Sequence, residues 1–129
     1  MTVFSSSAQA TAVFADMFRI LLADEHFASR IAAGRLDLHV VQTKPDVELY
    51  IEPGGVHVGV TPPKPVISLR MSSDTAHALW SGSLLLPLAL ATGKLRIRGP
   101  VSKVLEFVPL LQPAFDRYPD LAAEAGLSG

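Results

Sequence analysis

A chain of 129 residues with 49% hydrophobic and 18% charged side chains has the size of one domain, expected over residues 1–129, and too much apolar material for a disordered segment. A formal net charge of −1 provides no global field toward nucleic acid or anionic membranes, so only local patches can serve such contacts. The absence of cysteine excludes disulfides, thiolate nucleophiles and sulfur-rich metal sites together.

Ser6 followed by Gln9 reads as a capping box, and Phe14, Met17, Phe18 and Leu21 then recur at helical spacing, predicting a first helix from Ser7 to Ala23. The first basic residue is Arg19, so this stretch does not read as a secretory signal, and a cytoplasmic location is expected. Asp24 caps a second short helix carrying Phe27 and Ile31, closed at Gly34.

The period then changes from helix to strand. Leu36, Leu38 and Val40 alternate with Asp37, His39 and Val41 over 35–43. Val47, Leu49 and Ile51 do the same over 47–52, and Val56, Val58 and Val60 over 56–60. A proline-rich break, 62–65, precedes a fourth strand in which Ile67, Leu69 and Met71 face one way. Ser72 or Ser73 caps a helix carrying Ala76, Leu79 and Trp80. Leu84–Thr92 reads as a short helix with Pro87 in its first turn, too short for the roughly 20 residues of a membrane span. Leu95 and Ile97 alternate with Lys94, Arg96 and Arg98 in a fifth strand. A terminal helix follows, striped by Val101, Val104, Leu105, Val108, Leu111 and Phe115 and bent or divided by Pro109 and Pro113. This order suits an α+β layer fold, a mostly antiparallel five-stranded sheet with helices over one face.

The stretch 67–82, ISLRMSSDTAHALWSG, followed by GKLRIRG at 93–99, resembles the sterol carrier protein 2 family. The shared features are a strand, a capped acidic helix start, the Leu-x-x-Gly helix end of Leu79 to Gly82, a short apolar helix and a glycine-bounded strand. The resemblance spans roughly residues 30–115. It implies an apolar tunnel beneath the helices and non-enzymatic carriage of a fatty acid, fatty acyl-CoA, sterol or phospholipid, without a cofactor.

Within that resemblance, Met71, Trp80, Leu84, Leu86, Leu90, Val101, Val104, Leu105, Val108, Leu111 and Phe115 are the expected tunnel walls. Ordinary core packing is the plain alternative, since amphipathic helices bury such stripes by default. Lys94, Arg96, Arg98 and Lys103 are candidates for an anionic head group. The competing reading is a solvated strand face that discourages edge pairing.

His26, His39, His57 and His77 show no metal-ligand spacing, and no metal is expected. His39 and His57, on the polar phase of their strands, are expected to be exposed. Asp37 beside His39 hints weakly at acid–base chemistry, but no nucleophile elbow or phosphate-cradling loop occurs, and no catalytic residue is assigned. Three readings follow: a lipid or acyl-CoA carrier, an accessory subunit presenting such a ligand to a partner enzyme, and an enzyme using Asp37, His39 or Tyr50. The first is preferred. Nucleic acid is not an expected partner, and membrane contact is expected to be transient at most.

Overall fold

The computed structural model describes residues 3–127. Helix α1 spans Ser7–Ala23 and α2 Glu25–Ala33. Strands β1 (Leu38–Thr43), β2 (Val47–Glu52), β3 (Gly55–Val58) and β4 (Ile67–Ser72) follow. Next come α3 (Ser73–Trp80), α4 (Leu86–Ala91), β5 (Arg96–Arg98), α5 (Val101–Phe107), a 3₁₀ turn at Val108–Leu111 and α6 (Gln112–Glu124).

Helix starts form where side-chain acceptors meet free amides. Ser6 Oγ accepts from Gln9 N at 3.1 Å, while the Gln9 side chain accepts from Ser5 N at 2.7 Å, one residue earlier than a strict capping box places it. Asp24 accepts from Phe27 N, and Ser72 accepts from Thr75 N. Of the two expected caps for α3, Ser72 is the one used. Ser73 is buried and donates to the carbonyl of Pro45 at 2.8 Å, tying α3 to the β1–β2 turn.

The sheet order is β3-β2-β1-β4-β5. Three pairings are antiparallel and one, β1 with β4, is parallel, so the expectation of a mostly antiparallel five-stranded sheet holds. Register sorts the side chains onto two faces. Val40 lies opposite Leu49 and Leu69, on the inner face with Leu38, Ile51 and Ile67. His39 lies opposite Tyr50 and Ser68, on the outer face. Helix α1 packs on the inner side against β2 and β3 and against α6, burying Phe14, Met17, Phe18 and Leu21.

The fifth strand is shorter than its alternation suggests. Leu95 N donates to Ala89 O at 3.1 Å, so Lys94 and Leu95 close α4 instead of extending the ladder. Gly99 then turns the chain at φ +151, where an added Cβ would sit 2.6 Å from the carbonyl oxygen of Val66. Gly99→Ala therefore combines a disfavoured backbone angle with a backbone clash. A loss of about 1–3 kcal/mol in urea unfolding is expected.

Of the two outcomes expected at the prolines, bending or division, the terminal helix shows division. Pro109 falls in the 3₁₀ turn and Pro113 in the first turn of α6, positions where a missing amide costs least, and the helix restarts there. The inward side chains differ from the expected stripe. Phe107, Leu110, Leu111, Ala114 and Tyr118 are buried, whereas Val101 and Leu105 are exposed.

Candidate functional site

Four elements and the segment before β1 converge on one apolar seam. Phe27 and Ile31 stand one turn apart on α2, Leu36, Leu38 and Ile51 come from β1 and β2 and the segment before them, and Phe107 closes the seam from α5. They enclose a gap of about 10 Å³ with Asp37 at its margin. That is room for about one water at most, so the seam is packed.

The expected wall residues divide into two groups. Met71, Trp80 and Leu111 are buried, and Leu84, Leu86, Val104, Val108 and Phe115 are partly so. Leu90, Val101 and Leu105 do not line the interior. Helix α4 is anchored through Ala89, with Leu84 and Leu86 against the core, and α5 through Phe107, which turns those three side chains to solvent. Phe27, Ile31, Leu36, Leu38, Ile51 and Phe107 were not among the expected walls. The legible signal for two of them was the four-residue spacing of Phe27 and Ile31.

Lys103 separates from the other basic residues. Its Nζ donates to the carbonyl of Gly34 at 2.9 Å, capping the end of α2, and lies 3.9 Å from Glu106. Arg96 and Arg98 pair opposite Arg70 and Ser68, on the outer face of the sheet and away from the seam. The four cations thus do not form one head-group site at the seam.

Inside, α3 and α6 share a small polar cluster. His77 Nδ1 is 2.9 Å from the Tyr118 hydroxyl, and both residues are buried beside Phe4 and Phe14. Burial pushes the Tyr118 hydroxyl well above the ordinary phenol range. One turn on, Trp80 packs on Phe115 with ring centroids 5.2 Å apart. Trp80 Nε1 and His77 Nε2 are buried and make no hydrogen bond among the described residues. Such groups cost free energy unless something else meets them.

On the outer face, carboxylates strap the segment between β3 and β4 to the sheet. Glu48 Oε2 accepts from the Thr61 hydroxyl at 2.6 Å and lies 2.8 Å from His39 Nε2. Asp37 accepts from Val66 N and from the Tyr50 hydroxyl, each at 2.6 Å. This tether covers His39, which is buried and not exposed as expected. His57, which is exposed, pairs with Glu52 at 3.0 Å and stacks on Tyr50. A cleft of about 560 Å³ runs past His39, Glu48, Thr61 and Arg70, broadly open to solvent. Its carboxylate stands between histidine and hydroxyl, so the Thr61 hydroxyl donates its hydrogen bond to Glu48 and not to His39.

The Thr61 hydrogen bond foremost, then His39, holds the Glu48 carboxyl below its ordinary value of 4.5, and the His57 and Gly54 contacts do the same for Glu52. A lowered folded value means stabilisation that is present above the unfolded value and lost as pH falls through the folded one. The urea midpoint is expected to fall below about pH 4.5, and less steeply in Glu48→Gln; a midpoint flat from pH 5 to 3 would contradict this.

No protein-family model and no curated protein sequence matches the chain. Solved structures do. The chain aligns over 88% of its length with 97% of the sterol carrier protein domain 2 of Helicoverpa armigera, at TM-score 0.66 and 22% identity. It aligns over 88% with 96% of apo sterol carrier protein 2 from Yarrowia lipolytica, at TM-score 0.60 and 20% identity. The fold is that of sterol carrier protein 2. A further structure of this fold, from Aedes aegypti in complex with palmitate, aligns over 83% of this chain and 94% of its own at TM-score 0.51 and 16% identity. The chain also spans 12% of the length of the sec-alkylsulfatase Pisa1 from Pseudomonas sp., over 58% of its own residues, at TM-score 0.45 and 26% identity.

Among the described residues of this sterol carrier protein 2 fold, no helix is long and apolar enough to cross a membrane. No described group of three or more histidine, aspartate and glutamate side chains has the arrangement to hold a metal ion.

Proposed function

We propose that the protein carries an apolar ligand with one polar end, of the fatty-acid class, between the sheet and the α5–α6 segment. The observation that carries this reading is the seam itself: six apolar side chains from α2, β1, β2, α5 and the segment before β1 meet around a gap in a sterol carrier protein 2 fold. A structure of the same fold holding palmitate supports it.

Ligand pockets usually measure roughly 300–1,000 Å³, so the packed seam has to open before such a ligand enters there. Helix α5 is the element to move. Its most extensive packing is on the 3₁₀ turn that follows it, and its exposed Val101 and Leu105 contribute no core. Displacing it uncovers the seam, while Met71, Trp80, Leu84, Leu86, Val104, Val108, Leu111 and Phe115 become walls of the enlarged space. Each methylene then taken from water contributes about 0.8 kcal/mol before the costs of ordering and opening are subtracted. The unpaired Trp80 Nε1 is a donor available to the ligand's carboxyl or carbonyl oxygen. No step alters the ligand, so the reading is carriage and not catalysis.

Displacement of a fluorescent fatty acid by palmitate tests this directly. Saturable uptake and displacement are expected, with weaker uptake by Trp80→Phe. A protein that takes up no fatty acid, acyl-CoA or sterol probe would refute the reading.

A further inference from the structure

Helix α4 and the chain that follows it expose an apolar and a cationic surface side by side. Leu85, Leu88 and Leu90 are 67%, 53% and 43% exposed, whereas Ala89 and Leu95 are buried and joined by the Leu95 N to Ala89 O hydrogen bond of 3.1 Å. That bond brings the exposed neighbours of one, Leu88 and Leu90, next to the exposed neighbours of the other, Lys94 and Arg96.

The cations are gathered further by the sheet. Arg96 lies directly opposite Arg70 in the β4–β5 register, a position where like charges repel. Arg70, Lys94 and Arg96 border one groove of about 250 Å³ beside Gly93, and Arg98 continues the same face opposite Ser68. Among the described residues, none of these four cations makes an ion pair. Glu48, the carboxylate that senses Arg70, is already taken by His39 and Thr61. Protection of a sheet edge accounts for the charges alone, but it does not call for three exposed leucines beside them.

We propose that this surface docks on an anionic phospholipid bilayer. Helix α4 lies in the interface with Leu85, Leu88 and Leu90 among the head groups, and Arg70, Lys94, Arg96 and Arg98 meet the lipid phosphates. Apolar burial and charge attraction act together at such interfaces, and neither suffices at this size. The overall charge of −1 does not oppose this, because contact range is set by the Debye length, about 8 Å at physiological salt. The docking surface needs no internal cavity, so it stands independently of carriage.

Co-sedimentation with vesicles of phosphatidylcholine alone or mixed with phosphatidylglycerol decides it. The protein is expected on the mixed vesicles, released by high salt, and absent from the neutral ones. Each interfacial arginine contributes about fivefold to partitioning, so Arg70→Gln with Arg96→Gln is expected to weaken it about 30-fold. Leu85→Ser with Leu88→Ser is expected to weaken it as well. All four side chains are solvent-facing, so unchanged circular dichroism and unchanged fatty-acid displacement without vesicles are expected in both variants. Equal partitioning onto neutral and anionic vesicles, no partitioning onto either, or wild-type partitioning by the double arginine variant would each overturn the proposal. Fatty-acid displacement measured alongside tells a failure of docking from a failure of carriage.

Discussion

Phe107→Ala is expected to lower the free energy of unfolding by about 3–5 kcal/mol, the cost of deleting a buried aromatic ring whose surroundings collapse only in part. The ring closes the seam against Phe27, Ile31, Leu36, Leu38 and Ile51, so its loss merges a ring-sized space with the gap of about 10 Å³ already there. A carrier that must open to load has a second consequence. Removing the closing side chain reduces the work of opening, so this variant should bind fatty acid at least as tightly as the parent. At a ligand concentration 100 times the dissociation constant, bound ligand returns about 2.7 kcal/mol, most of what the substitution removed. Urea unfolding with and without palmitate measures both effects. A variant destabilised as expected but indifferent to palmitate would place the ligand elsewhere.

Asp37→Ala is expected to cost about 3–4 kcal/mol, because two hydrogen bonds to a charged acceptor are lost and each contributes about 1.5–3 kcal/mol, less some relief from water at a half-buried position. The Val66 amide and the Tyr50 hydroxyl both lose their acceptor. Through Val66 the start of β4 is loosened, and with it the one parallel pairing of the sheet. Asp37→Asn retains an acceptor and should lose less. The same carboxylate leaves a spectroscopic mark: its hydrogen bond with Tyr50, aided by desolvation, pushes that phenol up to about 12. A raised folded value means stabilisation fully present below the unfolded value near pH 10 and lost as pH climbs toward 12. Phenolate absorbance should therefore be nearly absent at about pH 10 in the folded parent, since Tyr118 is raised too, and should appear there for one tyrosine in Asp37→Ala. Ordinary titration of a tyrosine near pH 10 in the parent would contradict the assigned hydrogen bond.

What the sequence made legible was local. Ser6, Asp24 and Ser72 announced helix starts because a cap and its amide lie three residues apart. The alternation of Leu38, Val40, Leu49, Ile51, Ile67 and Leu69 announced the inner sheet face because strand period is a property of each strand alone. The glycine-bounded strand pointed to the right fold, and Gly99 proves to be the glycine its backbone demands.

What escaped was non-local. The stripe from Val101 to Phe115 reads as one helix face, but α5 packs through Phe107, on the opposite side from Leu105, so Val101 and Leu105 turn out, and after the 3₁₀ turn at Pro109 helix α6 restarts with Ala114 and Tyr118 inward. His77 meets Tyr118 across 41 residues, and Thr61 reaches Glu48 across 13, separations no periodicity records. Lys103 sits near Arg98 in sequence yet caps α2, because the turn at Gly99 sends α5 toward Gly34. The seam itself draws on α2, two strands and α5. Phe27 and Ile31 share one local pattern there and Leu36 and Leu38 another, but no local pattern joins the two pairs or brings in Phe107.

Native mass spectrometry of freshly purified protein, followed by denaturing extraction of whatever it carries, tests carriage most directly. A defined mass above the 13.8 kDa chain, matched by an extracted apolar molecule bearing a carboxyl or carbonyl group, is the expected result. A bare chain that also refuses fatty acid, acyl-CoA and sterol in solution would contradict carriage and leave the seam as plain core.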